Sequence, residues 1–338
     1  MLYECNNVYK HLVDDISRTI YQNRLIFSLT GDVTTIRRIA ATNDTAINAI
    51  ESMRNDNIYI FGVGIRGKKL FNYYKQYIRF VGFIDNDANK TGSMYCGLPV
   101  YSPETLISNG YSGKIAVPIR YNAQSVIKQL MDLGVKKEAI IDISELISSM
   151  EKEQYFTLLN LPHSENEVFC DVGSYDGESS LQFIKWSGNY SHIYCFEPDP
   201  ENIKTVCNNL NNHKNITIIG KGAWSFDTTL SFIADEGMGS SVNDLGKTQI
   251  QVTSLDSELK NKRISFIKMD IEGSEYQALL GARQLIETNK PNLAICVYHK
   301  FEDIIEIPKL ILDMVPEYNL ALRHYSLFDN DTVLYAFV

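Results

Sequence analysis

The stretch 167–180, EVFCDVGSYDGESS, constrains this chain more than any other. An apolar run at 168–170 leads into an acid, Asp171, and glycines follow at Gly173 and Gly177 before helical spacing begins near Ser179. A short apolar run closed by turn residues reads as a buried strand. Strand, glycine turn and helix in that order bring backbone N–H groups and a helix N-terminus up to a ligand. The carboxylate of Asp171 separates two kinds of ligand, since it repels a pyrophosphate and attracts the amino group of a zwitterionic methionine moiety. The turn D-x-G-x-x-x-G is therefore closer to an S-adenosylmethionine site than to a dinucleotide site, although a tight turn with no ligand has the same glycines.

At 338 residues the chain has room for two domains, each with a core of its own. A net charge of −9 and a pI near 5.3 lack the basic footprint that a nucleic-acid partner needs. The opening MLYECNNVYK has no apolar centre, and no apolar run reaches the length of a membrane span, so neither a secretory signal nor a span is expected. The six cysteines show no metal-type pairing, and Cys170, Cys195 and Cys296 lie in apolar runs where a thiol acts as a small hydrophobe. A reduced, cytoplasmic protein is the expectation.

Residues 1–56 carry apolar positions at helical spacing, broken at Gly31 and Asp32, and read as a helical appendage for packing or dimerisation. Residues 57–147 read as a small Rossmann-like unit. An apolar strand at 58–61 precedes Gly62, Gly64 and Gly67, and a second strand at 80–84 ends in Asp85. Glycines under a helix N-terminus, then an acid after the next strand, is the dinucleotide-binding layout. The segment resembles the small N-terminal sugar-nucleotide-binding modules of bacterial surface-sugar enzymes. It could hold the nucleotide part of a substrate or be a structural relic. An NAD-linked or nucleotide-sugar-binding enzyme or sensor built on this unit is the alternative function. Residues 148–166 are polar and read as a helix and linker.

From 167 to 338 strand and helix alternate. The strand at 192–196 ends in Glu197 and Pro198, where a doubly wound sheet places its ribose-binding acid. A strand at 216–219 leads to a turn with Ala223 and Trp224, which could flank an adenine ring. Two β-rich runs at 229–234 and 249–253 bracket a glycine-serine loop at 237–241. A strand at 264–269 ends in Asp270-Ile271-Glu272, one at 293–298 ends in His299-Lys300, and runs at 320–325 and 332–338 suggest a terminal antiparallel pair.

The block KMDIEGSE at 268–275 followed by ALLGA at 278–282, together with VFCDVGSYDGESS, FEPDPENI and VTSLDS, resembles the signature of the FkbM-type methyltransferases. The resemblance covers 167–338 and implies a class I methyltransferase fold: a mostly parallel seven-stranded sheet with a terminal antiparallel pair. The fold class is then α/β with two Rossmann-like units behind an N-terminal helical segment. The resemblance implies an S-adenosylmethionine-dependent O-methyltransferase. Asp171, Gly173, Ser174 and Gly177 would surround the methionine moiety, Glu197 and Pro198 the ribose, Ala223 and Trp224 the adenine, with Asp270 beside them. The macrolide-modifying members tend to end the fifth strand in an acid, whereas this chain has His299. That departure, with the N-terminal unit, turns the expected acceptor toward a hydroxyl of a sugar or nucleotide-sugar in bacterial surface polysaccharide synthesis.

Methylating a hydroxyl requires its proton to leave, through a general base or through a divalent metal that lowers its pKa. Asp270 and His299 end adjacent strands of the expected sheet, at the edge where open α/β sheets bind ligands, and Glu272 lies in the same turn. Two readings remain open. Asp270, Glu272 and His299 could hold Mg, Mn or Fe, or His299 could be the base with Asp270 positioning the acceptor. A bland third reading makes Glu272 a helix cap and His299 a strand-end hydrogen bond. A binding module with no activity is opposed by the acids Asp171, Glu197 and Asp270, because a site without a ligand has no use for buried charge. Lys268 and Lys300 read as surface or strand-end charges, and alternation sends Tyr298 to the core, opposite His299.

Overall fold

The computed structural model describes residues 2–158, 161–233, 241–242 and 248–338. The chain divides into two compact units, one of Met1–Ser28, Glu153–Arg323 and Thr332–Val338, the other of Leu29–Lys152 and His324–Asp331. This division cuts across the serial segments expected from the sequence. The N-terminal helical run is split, and the polar stretch after 153 belongs to the larger unit.

The larger unit is built on a seven-stranded sheet. Its strands are β1 (Glu167–Val172), β2 (Tyr190–Phe196), β3 (Ile216–Ile219), β4 (Phe266–Met269), β5 (Asn292–Cys296), β6 (Asn319–His324) and β7 (Thr332–Phe337). Their order is β6-β7-β5-β4-β1-β2-β3. β3, β2, β1, β4 and β5 pair in parallel, and β7 runs antiparallel to β5, so the expected mostly parallel sheet is formed. Strands covered on both faces read as continuous apolar runs, which is why β1, β4 and β5 were legible. One face is packed with aromatic rings: Phe169 stacks on Phe183 at 4.3 Å between centroids, and Phe156 lies against Phe169, Phe183, Trp186 and Phe266. Phe156 comes from the stretch expected to be a polar linker. The helix expected there lies earlier, at Ile143–Glu151.

A four-stranded sheet stands apart in the same unit, with Thr228–Ile233 antiparallel to Thr248–Thr253 and Gly222–Ala223 parallel to the latter. The loop at 237–241 lies outside the described residues except for Ser241. The N-terminal helices of this unit pack on β6 and β7. Val13 N donates to Leu320 O at 2.9 Å, Leu322 N to the Ser17 hydroxyl at 2.9 Å, and the buried Arg24 to Thr332 Oγ1.

The smaller unit holds a six-stranded sheet in the order Met94–Tyr95, Leu98–Tyr101, Phe80–Ile84, Ile58–Phe61, Lys114–Ala116, Ile140–Ile141. Only the first pair is antiparallel. The helix Ile65–Tyr74 follows the glycine turn as expected. Asp85 is buried and spends its oxygens inside the unit, accepting from Val63 N and Asp87 N at 2.9 Å each and from Lys90 Nζ at 3.3 Å. No helix among the described residues is long and apolar enough to cross a membrane.

Candidate active site

The turn after β1 is fixed by its neighbours on both sides. Gly173 and Ser174 donate their N–H groups to Phe196 O at the end of β2, at 3.0 and 3.1 Å. Gly173 has φ +81, and a Cβ there would stand 2.0 Å from Asp270 O. Only glycine allows β1 and β4 to end so close together. The acid-rich turn after β4 is thereby held against the glycine turn after β1.

Asp171 lies on the inner side of the glycine turn. Its carboxylate is fully buried and faces inward, with Oδ2 accepting from Ser179 and Ser180 at 2.6 and 2.7 Å and Oδ1 paired with Lys268 Nζ at 3.2 Å. These contacts anchor the turn from inside. Lys268 requires a correction. Rather than a surface charge it is a buried cation on β4, registered opposite Asp171, and its Nζ also donates to Gly173 O at 2.6 Å. Burial pushes the Lys268 pKa down, but Asp171 and Asp270 outweigh this and leave it raised.

Glu197 closes β2 as a buried carboxylate. Oε2 accepts from Tyr175 N at 2.9 Å, and Oε1 from Asp199 N at 3.0 Å and Asn202 Nδ2 at 3.3 Å. Burial raises its pKa, and these donors only partly offset that. A carboxylate has about four acceptor positions, so one remains for a ligand hydroxyl. Beside the turn, the hydroxyl of buried Ser174 has no hydrogen-bond partner, an orphan that a polar ligand group would satisfy. Pro198 lies near Gly222, with 3.8 Å between its Cγ and the place of a Gly222 Cβ, so the β2 and Gly222–Ala223 turns share one edge. Ala223 is buried. Trp224 donates its N–H to Thr253 O at 2.8 Å and packs on Ile250 and Val252.

At the ends of β4 and β5 the expected cluster forms and is larger than expected. The imidazole of His299 is only 8% exposed. Its Nε2 lies 3.4 Å from Asp270 Oδ1 and 3.5 Å from Glu272 Oε2, while Nδ1 lies 3.0 Å from Glu275 Oε1. Burial pushes the His299 pKa down, but Glu275, Asp270 and Glu272 together bring it up to about 9. Asp270 is raised by burial, then carried below its ordinary value by His299, Lys268 and the Tyr155 hydroxyl. Tyr155 donates to Asp270 Oδ2 at 3.0 Å, and Tyr298 to Oδ1 at 3.4 Å. Tyr298 is therefore at the site and not in the core. β5 ends at Cys296, so strand alternation no longer governs residue 298, and its ring lies 4.0 Å from that of His299.

Three members of this site were missed from the sequence. Glu275 is fully buried and accepts the Ile271 N–H at 2.8 Å. It stands three residues after Glu272 at the start of a helix, which is the signal that could have exposed it. Tyr155 lay in the presumed linker, and the inward position of Lys268 depended on a partner 97 residues away in sequence.

Residues 171–325 match the Methyltransferase FkbM domain family. Among solved structures, a methyltransferase FkbM from Methylobacillus flagellatus KT is similar to this chain at TM-score 0.52 and 22% identity, over 87% of this chain and 94% of that one. Aeropyrum pernix fibrillarin, solved with natively bound S-adenosyl-L-methionine, is a more remote likeness at TM-score 0.37 and 12% identity, over 57% and 74% of the two chains. No curated protein sequence matches the chain.

Proposed function

We propose that this chain, whose residues 171–325 match the Methyltransferase FkbM domain family, is an S-adenosylmethionine-dependent O-methyltransferase whose acceptor is a sugar or nucleotide-activated sugar in bacterial surface polysaccharide synthesis. One observation carries the reading. The glycine turn after β1 and the cluster of Asp270, Glu272, Glu275 and His299 are in contact, with a Gly173 Cβ excluded by Asp270 O at 2.0 Å. A ligand-binding turn and a proton-handling cluster so close together are what group transfer to an oxygen requires.

The residues present fit the cofactor. The orphan Ser174 hydroxyl and the remaining acceptor position of Glu197 are polar groups that the amino acid and ribose parts of such a ligand would satisfy. When bound, S-adenosylmethionine supplies an electrophilic methyl group on a sulfonium. On the acceptor side, the oxygens of Asp270 and Glu272 accept hydrogen bonds from hydroxyls, which suits a polyol. Tyr155 and Tyr298 hold Asp270 in place, so the acceptor meets a fixed carboxylate. The hydroxyl proton would leave toward this cluster, to a carboxylate, since an imidazole with its pKa brought up to about 9 already carries its proton at neutral pH, or be released with the help of a divalent cation held there.

Calorimetric titration with S-adenosylhomocysteine tests the cofactor site on wild type, Glu197→Gln and Glu197→Ala. Wild type should bind, and both variants should bind at least tenfold more weakly, since each loses a charged acceptor. Failure of wild type to bind overturns the proposal. Incubation with methyl-labelled S-adenosylmethionine and a panel of sugars and nucleoside diphosphate sugars then tests the acceptor. An O-methyl product in that panel is expected, and transfer only to nitrogen or carbon acceptors would refute it.

A further inference from the structure

We propose that His299 Nε2, Asp270 Oδ1 and Glu272 Oε2 form a site for one hard divalent cation, with Glu275 as the outer carboxylate that orients the histidine. The proposal rests on reading this edge as the acceptor side of the methyltransferase site, and it names the ion that the acceptor would meet there.

Nε2 is the atom that both oxygens neighbour. Nitrogen and oxygen ligands about 2.1 Å from a metal lie roughly 3.0–3.5 Å from one another, depending on the angle. Nε2 stands 3.4 Å from Asp270 Oδ1 and 3.5 Å from Glu272 Oε2, so each oxygen is at the spacing from Nε2 that a shared ion needs, and binding would draw the two carboxylates together around it. A grouping of Asp270, Glu275 and His299 also brings one ligand atom of each within 4.8 Å. Glu275, however, sits at the other ring nitrogen, 3.0 Å from Nδ1, and its Oε1 already accepts the Ile271 N–H. A carboxylate behind a metal-bound histidine fixes the tautomer that turns Nε2 toward the metal, and that is where Glu275 stands.

Independent of the carboxylates, the imidazole itself points to a missing ligand. It is 8% exposed, yet neither ring nitrogen has an aligned hydrogen bond. Glu275 is fully buried, and its Oε2 has no partner. A nitrogen and two carboxylate oxygens suit Mg or Mn, and three protein ligands leave positions open for two hydroxyls of a diol.

The test uses the full chain, stripped with EDTA and desalted, then titrated with MnCl2 while free Mn2+ is read by electron paramagnetic resonance. Wild type should take up one ion per chain. Glu272→Gln and His299→Gln should lose the site, and Glu275→Gln should weaken it by about 10–100-fold. S-adenosylhomocysteine affinity should stay within about twofold across the variants, which separates loss of the cation site from loss of fold. No Mn2+ uptake by wild type, or uptake unchanged in both Glu272→Gln and His299→Gln, overturns the proposal. If the stripped wild type binds S-adenosylhomocysteine but no Mn2+, the cation site falls and the methyltransferase reading stands. If Mn2+ binds with the expected variant pattern and S-adenosylhomocysteine does not, the methyltransferase reading falls and the cation site stands.

Discussion

Gly173→Ala is the sharpest test of how the two turns are held together. Two costs add. An L-residue in the left-handed region costs about 1–2 kcal/mol, and Gly173 has φ +81. The new Cβ would also stand 2.0 Å from Asp270 O and 2.8 Å from Ile271 Cγ2. The first neighbour is backbone and cannot rotate away, and overpacking of this kind costs about 1–3 kcal/mol. Gly188→Ala is the control. Gly188 has φ +64 with nothing within 4 Å of its Cβ position, so only the backbone cost applies. Gly173→Ala should therefore destabilise the larger unit by about 2–5 kcal/mol and exceed Gly188→Ala by about 1–3 kcal/mol, in chemical denaturation followed by circular dichroism. At roughly 2–4 °C per kcal/mol for 150–250 residues, the difference is also visible in melting. Relief of the clash moves the β1 turn away from Asp270, so S-adenosylhomocysteine affinity should fall at least tenfold in Gly173→Ala and stay near wild type in Gly188→Ala. Equal stabilities of the two variants to within about 0.5 kcal/mol, with unchanged affinity, would refute the close-approach argument.

Two further outcomes follow from buried charge. Lys268→Met leaves Asp171 with no counter-charge in a fully buried position, and should cost about 3–5 kcal/mol in denaturant unfolding. The double variant Asp171→Asn/Lys268→Met should recover much of this, and a loss under about 1 kcal/mol in the single variant would rule the pair out as a buried bridge. Asp303 gives the pH dependence. Burial raises its carboxyl from 3.8 to about 6, despite the Lys300 N–H it accepts at 2.8 Å. Between these values the unfolded chain gives up a proton that the folded chain keeps, so this group's contribution to stability falls as pH rises through that window. Asp303→Asn removes the charge, so its stability relative to wild type should rise by on the order of 2–3 kcal/mol between pH 3.5 and pH 7.5. A difference that is flat across that range would contradict the assignment.

What the sequence disclosed and what it hid divide along the range of the interaction. The strands were legible because each is a local apolar run, and Glu197, Asp270 and His299 because they follow the ends of such runs. Tyr298 was misplaced by extending the alternation of β5 two residues past its end at Cys296. Tyr155 was hidden because nothing near it in sequence announces that its hydroxyl meets Asp270. The split of the N-terminal helices was hidden for the same reason, since Ser17 and Arg24 bind β6 and β7 some 300 residues later.

Lys268 is the instructive case, because its partner was deducible. Asp171 is the next-to-last residue of β1 and Lys268 the next-to-last of β4. Two parallel neighbours that end at one edge bring such positions into register, and Lys268 is indeed paired with Asp171. In parallel pairs registered residues project to the same face, so a lysine beside a buried aspartate must either neutralise it or leave it unpaired. An unpaired carboxylate at that depth is costly. The charge on a strand otherwise buried on both faces was therefore a prediction of its own partner. The same step assigns a structural role to Asp171, which binds the lysine that grips the Gly173 carbonyl and so shapes the turn.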